Sequence, residues 1–335
     1  MTAPNSTSAW QKALVQAITD PQELLAILEL DQTLLPAAKA VTKQFPLIVP
    51  RGYVARMEKG NPNDPLLRQI LPIDAELIDT PGYSRDPLKE ADVNPVPGLL
   101  HKYHGRVLLT FVGTCAVNCR FCFRRNFPYN DNNPSNEGWD QALSYIANDA
   151  SIAEVILSGG DPLIANDKKL LTFSEKLNQI PHVKRLRIHS RVPIVLPERI
   201  SAEFIAWTKT LRPKVIMVTH CNHPKEINEP VKLAIRHMRE AGITLLNHTV
   251  LLKGVNDEVA TLVALSEALF AEGVQPYYLH ALDKVQGTAH FDVELARGQA
   301  LHWAMAQQLS GYLVPKFVYE KPGAPAKISL DLYTD

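Results

Sequence analysis

Beyond residue 100, short runs of β-branched and apolar residues alternate with longer stretches in which apolar side chains recur every three or four positions. Six runs have the length and make-up of strands: Arg106–Val112, Glu154–Ser158, Arg185–His189, Lys214–Thr219, Thr244–Leu251 and Pro276–His280. The stretches between and after them predict helices over Trp139–Asn148, Lys168–Ile180, Ala202–Leu211, Glu229–Ala241, Glu258–Ala271 and Val293–Leu309. Ser201 stands where the third of these needs an N-cap, and Gly242 where the fourth needs a stop. The repeat is roughly thirty residues, the size of one strand-helix unit. Such alternation gives an α/β fold with a parallel sheet and helices outside. Six units fall short of the eight that close a full barrel, so the pattern predicts an open or partial barrel; a doubly wound sheet fits the alternation alone.

The first hundred residues read differently. Asp20-Pro21-Gln22-Glu23 supplies an N-cap, a proline at the first helical position and an acid at the third, ahead of the apolar run from Leu24 to Leu30. From Asn61 to Gly98 the chain holds seven prolines, which predicts an irregular strap laid over the main domain, without a core of its own. Three segments result: a helical and Pro-rich extension over 1–100, a partial barrel over 101–312 and a C-terminal strand and tail over 313–335.

Composition narrows the chemistry. The 335 residues carry 35 Lys+Arg against 35 Asp+Glu and are 46% hydrophobic, which excludes disordered, collagenous and disulfide-scaffold classes. Zero formal charge offers no basic footprint for nucleic acid or anionic lipid. No run of 18 apolar residues occurs, and MTAPNSTSAW lacks the basic start and apolar stretch of a signal peptide. The expectation is a cytoplasmic protein with no membrane partner. In that reducing compartment the 4 cysteines point to metal ligation or catalysis rather than disulfides.

Three of those cysteines lie in Cys115-Ala-Val-Asn-Cys119-Arg-Phe-Cys122, just past the first strand of the repeat, where parallel α/β folds place their chemistry. A zinc site wants four protein ligands, whereas three thiolates can hold three irons of a 4Fe-4S cluster and leave the fourth iron open to a ligand. Two alternatives are a zinc site completed by Cys221 and a set of small buried thiols.

A C-x3-C-x2-C loop after the first strand of a partial barrel resembles the radical S-adenosylmethionine (SAM) superfamily. Longer matches sharpen the resemblance: CRFCFRR (Cys119–Arg125), LSGGDPL (Leu157–Leu163), RIHSRVPIVLPERI (Arg187–Ile200), THCNHPKEI (Thr219–Ile227), LLKGVND (Leu251–Asp257), PYYLHALD (Pro276–Asp283) and PGAPAK (Pro322–Lys327). Together they are similar to the lysine 2,3-aminomutase family over essentially residues 60 to 330. The fold this implies is a partial (β/α)6 radical-SAM barrel with an N-terminal extension and a C-terminal segment bearing the cofactor lysine. The implied cofactors are a 4Fe-4S cluster on Cys115, Cys119 and Cys122, S-adenosylmethionine and pyridoxal 5′-phosphate. The implied reaction is reductive cleavage of S-adenosylmethionine by an electron from a cellular donor, then movement of the lysine nitrogen from α to β.

The resemblance also assigns residues. Ser158, Gly159, Gly160 and Asp161 match the segment contacting the S-adenosylmethionine amine; read alone, a Gly-Gly after a strand is an ordinary exit turn. His248 stands where the family commonly has Gln on that cofactor. Lys327 matches the lysine carrying pyridoxal phosphate, although the family's PGGGGK-like run is here Pro322-Gly-Ala-Pro-Ala-Lys327; Lys321 is the fallback. Without the family, a lysine there would read as a solvated charge. Lys102, Tyr103 and Arg106 match an Arg-Tyr-x-x-Arg pattern near the cofactor, and Arg191 is a further phosphate candidate. Arg124 matches the arginine that binds the substrate carboxylate. Asp283 and Glu320 match two ammonium-binding aspartates, the second lengthened here by a methylene. His220 and His223 are read as packing residues, and Cys221 as a buried thiol. The chain stops eight residues beyond Lys327, without the cysteine-containing tail of longer metabolic members. With Glu320 and PGAPAK, this makes it most like the branch that makes (R)-β-lysine from (S)-α-lysine for elongation factor P. Oligomeric state stays open.

Overall fold

A computed structural model describes residues 8–129 and 136–331. Nine strands lie side by side in chain order. They are β1 (Leu99–Tyr103), β2 (Arg106–Val112), β3 (Glu154–Gly159), β4 (Arg185–Ser190), β5 (Lys214–His220), β6 (Thr244–Val250), β7 (Gln275–His280), β8 (Lys316–Tyr319) and β9 (Ile328–Ser329). Strands β2 to β8 run parallel, and β1 and β9 pair antiparallel at the two edges. Strand order follows sequence order throughout, which excludes the doubly wound alternative, where the order reverses at a switch point.

The extension contributes α1 (Ala9–Val15), α2 (Pro21–Ile27) and α3 (Leu35–Thr42). Six crossover helices then link β2 to β8: α4 (Asn136–Asn148), α5 (Asp167–Asn178), α6 (Ala202–Lys209), α7 (Glu229–Glu240), α8 (Val259–Ala271) and α9 (Leu295–Gln308). These are the six units that the periodicity predicts, with ends shifted by one to three residues where a cap takes over. Ser201 Oγ accepts the Phe204 amide at 3.3 Å to start α6, and Gly242 takes φ +78° after α7.

Alternation along the strands sorts the two faces of the sheet. Val155, Leu157, Leu186 and Ile188 point outward and are sealed beneath the helices by Phe173, Trp207 and Ile235. Phe111 stacks on Trp139 with centroids 4.6 Å apart, joining β2 to α4. The opposite face carries Arg187, His189, His220, His248, Tyr278 and His280, all of them half-buried. Side chains fill the interior of a complete eight-stranded barrel. Here the inward face is left partly open, and the result is a lumen lined by polar groups. The sheet curls far enough for its edges to meet: Lys102 on β1 donates to Glu320, just past β8, at 2.9 Å.

The described part of the extension differs from the expectation in its helices: it forms five, two of them single turns over Arg51–Val54 and Pro65–Arg68, where the sequence marks one. Its apolar residues, among them Trp10, Leu24, Tyr53, Leu66 and Leu67, join the same core as the barrel, in line with a strap that has no core of its own. Strand β1 was not foreseen either, since its five residues carry no clear alternation. Among the described residues, no helix is long and apolar enough to cross a membrane. The first seven residues of MTAPNSTSAW and the last four of segment 313–335 lie outside the described residues.

Candidate active site in the barrel lumen

The loop that leaves β2 holds Cys115, Cys119 and Cys122, each half-buried. The extension pins it: Asn118 N donates to Ile48 O at 3.0 Å and Arg120 N to Gln69 O at 2.9 Å. Arg120 and Arg125 share the buried Glu76 carboxylate at 2.6 and 2.8 Å. Arg191 donates to Cys119 Sγ at 2.7 Å and also to Gln69 Oε1, Tyr53 Oη and Glu226 Oε2.

Burial and then the neighbouring thiols push Cys115 well above the ordinary thiol range, and burial and then Cys119 push Cys122 up to about 11. Two thiols raised in this way ionise together only when positive charge arrives beside them, which is what an iron-sulfur cluster brings. Among the described residues, no three His, Cys, Asp or Glu side chains could hold one metal ion. In a cubane each of the three thiolates binds a different iron, so the three sulfurs need not converge on one point. Cys221 lies buried, its Sγ donating to His223 O at 3.5 Å.

The Ser158–Asp161 segment is packed hard against this loop. A Cβ on Gly160 would stand 2.2 Å from Thr114 O, and Gly159 has φ +100°, so glycine is required for the cluster loop to lie where it does. Asp161 is a staple between strand exits: its carboxylate accepts from Leu163 N, Ser190 Oγ, Arg191 N and Val192 N. In this segment the roles of exit turn and cluster support coincide.

Deeper in the lumen, the rings of His189, His220 and His280 surround His248, with centroids 5.4, 4.7 and 5.5 Å from it. Burial holds all four imidazoles neutral; His248 is pushed down to about 3 by burial, then by Lys327 and Arg187. Among the described residues, buried Arg187 Nε, His189 Nε2 and His220 Nε2 have no hydrogen-bond partner. Orphaned polar atoms of this kind suit a polar ligand in the lumen. His223 instead accepts the Lys225 amide at 3.1 Å, a local turn.

The charged residues expected at the site form a connected chain. Arg124 Nε and Nη2 each donate to Glu90 at 2.8 Å, and Nη1 donates to Ser158 Oγ at 3.1 Å. Lys102 lies between Glu90 and Glu320, at 3.0 and 2.9 Å. Lys327 Nζ donates to Glu320 Oε2 at 2.6 Å. Tyr103 packs under the Arg106 guanidinium at 4.7 Å and bonds to Glu320, which, after burial, helps raise its phenol. Burial alone would lift Glu320, but Lys327 and Lys102 hold its carboxyl well below the usual range. Burial and then Glu320 push Asp283 up to about 7.

The structure therefore brings Lys102, Tyr103, Arg106, Asp283, Glu320 and Lys327 together, with Arg124 at the other end of the chain. It does not bring Arg191 there. Expected as a phosphate candidate, Arg191 is spent on Cys119, Gln69, Tyr53 and Glu226, because a buried guanidinium takes whatever acceptors surround it. Lys321, the fallback for Lys327, is exposed. Glu90, Glu76, Gln69 and Tyr53 escaped the sequence reading since nothing local marks them. The one usable signal was that Arg120, Arg124, Arg125 and Arg191 lack nearby acids, so their partners had to come from elsewhere.

Comparison with known proteins adds an independent line. Residues 109–265 match the Radical SAM superfamily. The chain is 48% identical over 328 residues to L-lysine 2,3-aminomutase of Escherichia coli (strain K12), covering 98% of this chain and 96% of that protein. It is 46% identical to L-lysine 2,3-aminomutase of Haemophilus influenzae, with 95% and 94% covered. To L-lysine 2,3-aminomutase of Clostridium subterminale it is 36% identical, with 95% of this chain and 76% of that one covered.

Proposed function

Because this chain belongs to the lysine 2,3-aminomutase family of radical SAM enzymes, we propose that it moves the α-amino group of lysine to the β-carbon and serves the modification of elongation factor P. The family works with a 4Fe-4S cluster, S-adenosylmethionine and pyridoxal 5′-phosphate. When bound, the first two supply one-electron hydrogen abstraction and the third a conjugated carbonyl for the migrating nitrogen.

What supports the substrate is the occupant of the acid end of the lumen. A resident lysine ammonium, that of Lys327, already docks on Glu320 at 2.6 Å with Asp283 close by. A substrate of the same chemistry fits there once Lys327 is engaged with its cofactor. Arg124 then takes the α-carboxylate at the opposite end, through a planar fork suited to that group. Cys115, Cys119 and Cys122 hold the cluster, and Arg191 secures Cys119. Backbone groups of Ser158, Gly159, Gly160 and Asp161, with His248, face S-adenosylmethionine. Lys102, Tyr103 and Arg106 surround the site of Lys327. Neutral imidazoles line the lumen without adding charge, and the partial barrel keeps water from the reacting carbon.

The likeness to the E. coli protein along nearly its whole length, Glu320 and the PGAPAK run together support the elongation factor P branch and an (R)-β-lysine product. The free thiols of the cluster loop support a cytoplasmic setting with a cellular one-electron donor. The test is an anaerobic assay of the reconstituted protein with dithionite, S-adenosylmethionine and pyridoxal phosphate, offering free lysine, glutamate and arginine beside unmodified and lysylated elongation factor P. The reading predicts (R)-β-lysine from free lysine. Turnover of glutamate or arginine instead, or the (S) product, would assign the chain to another branch, and no amino-acid turnover from a cluster-loaded protein would overturn the reading.

A further inference from the structure

Glu90 lies in none of the motifs that identify the family, yet it is among the most deeply buried carboxylates near the lumen, its side chain only 3% exposed. It reaches that position from the Pro-rich strap directly after Lys89, which takes φ +48°, a left-handed conformation uncommon for a non-glycine residue. Both its oxygens are engaged. Oε2 accepts Arg124 Nε, and Oε1 accepts both Arg124 Nη2 and Lys102 Nζ. This grips one edge of the guanidinium. Ser158 Oγ takes a single hydrogen from Nη1. Among the described residues the end of the fork, with one remaining hydrogen on each Nη, stays available for a carboxylate.

The same contact continues without a break: Glu90 to Lys102, Lys102 to Glu320, Glu320 to Lys327. Four side chains of alternating sign thus join the group proposed to read the substrate's carboxylate to the group proposed to read its ammonium, and Lys327 extends the chain as a fifth. Each is at least three-quarters buried. Burying a carboxylate between two cations makes departure costly, so Glu90 stays in place when substrate arrives.

We propose that Glu90 is a positioning residue that, with Lys102, fixes the separation between Arg124 and Glu320 and so measures the length of the amino acid bound between them. The proposal rests on the reading of this lumen as a lysine site. It assigns the strap a part in specificity: two recognition groups on separate mobile side chains would tolerate a substrate one methylene shorter, whereas two groups joined by one fixed chain would not.

The experiment compares kcat and KM for lysine and ornithine in wild type, Glu90→Gln and Lys102→Gln, with iron content and circular dichroism checked for each. Glu90→Gln leaves the shape but removes the charge that grips Arg124. The expected result is a KM for lysine raised tenfold or more with a smaller change in kcat, and a lysine-to-ornithine ratio of kcat/KM reduced at least tenfold. Lys102→Gln leaves the Arg124–Glu90 pair intact, breaks the chain at its middle and removes a cation beside Glu320, so it lowers the ratio and raises lysine KM as well; it also serves if Glu90→Gln fails to fold. An unchanged ratio in a folded, iron-loaded variant overturns the proposal, as does a fall in kcat alone. A wild-type protein that turns over neither amino acid overturns the lysine reading itself, and with it this inference; a wild type active on lysine with insensitive variants overturns the inference only.

Discussion

Asp283 decides whether the acid end of the lumen carries one negative charge or two. Burial, then the Glu320 carboxylate, raise it from an ordinary 3.8 to about 7, while Lys327 and Lys102 keep Glu320 ionised despite its own burial. With a midpoint near 7, about a tenth of the molecules hold Asp283 as carboxylate at pH 6 and about nine-tenths at pH 8. Since kcat/KM reports ionisations of the free enzyme, attraction of a substrate ammonium by this second charge raises kcat/KM for lysine about ninefold over that interval. The α-amino group of lysine titrates in the same direction. The assay is therefore the ratio of wild type to Asp283→Asn at each pH, which cancels that shared term. The ratio should climb about ninefold or more from pH 6 to 8; a flat or falling ratio refutes the assignment of Asp283 to ammonium recognition. Stability moves the other way. Between pH 3.8 and about 7 the folded chain keeps a proton on Asp283 that the unfolded chain has lost, so stability falls as pH rises through this window, by up to about 4 kcal/mol from this group. Asp283→Asn should flatten that fall in Tm measured from pH 4 to 8.

Alanine at Cys115, Cys119 or Cys122 should each strip the iron and the brown colour, whereas Cys221→Ala, a change at a buried thiol bonded to a backbone carbonyl, should keep its iron and lose about 1 kcal/mol or more of stability, read as a lower Tm. Equal iron loss from Cys221→Ala would break that partition. Lys327→Ala should abolish the borohydride-reducible pyridoxyl adduct, and an adduct that persists would move the assignment to Lys321. Gly160→Ala sets a methyl group 2.2 Å from Thr114 O, so the cluster loop must shift; iron measured after reconstitution should fall well below wild type, and an unaltered iron content would show that the loop adapts freely.

The repeating part of the chain was legible in its sequence. All six crossover helices and the six strands beginning with β2 follow from periodicity, because each unit buries one side of a helix and one face of a strand within about thirty contiguous residues. The site residues of the barrel were legible only through motifs at strand ends, where the resemblance named Arg124, Asp283, Glu320 and Lys327 and the structure joins them. The strap was not. Glu90, Glu76 and Gln69 act through partners 34 to 157 residues away, and no local pattern records such distant pairing. Arg191 shows the same limit from the other side: a cation at a strand end looks free until the acceptors supplied by Tyr53 and Gln69 are seen around it.

The account stands on three thiolates holding an iron-sulfur cube with one iron left open toward the lumen. Electron paramagnetic resonance of the anaerobically reconstituted, dithionite-reduced protein, recorded with and without S-adenosylmethionine, tests this most directly. The account predicts the signal of a reduced 4Fe-4S cluster that changes when S-adenosylmethionine is added, as a ligand arrives at the open iron. A cluster signal indifferent to S-adenosylmethionine, or a colourless protein holding zinc, would contradict it.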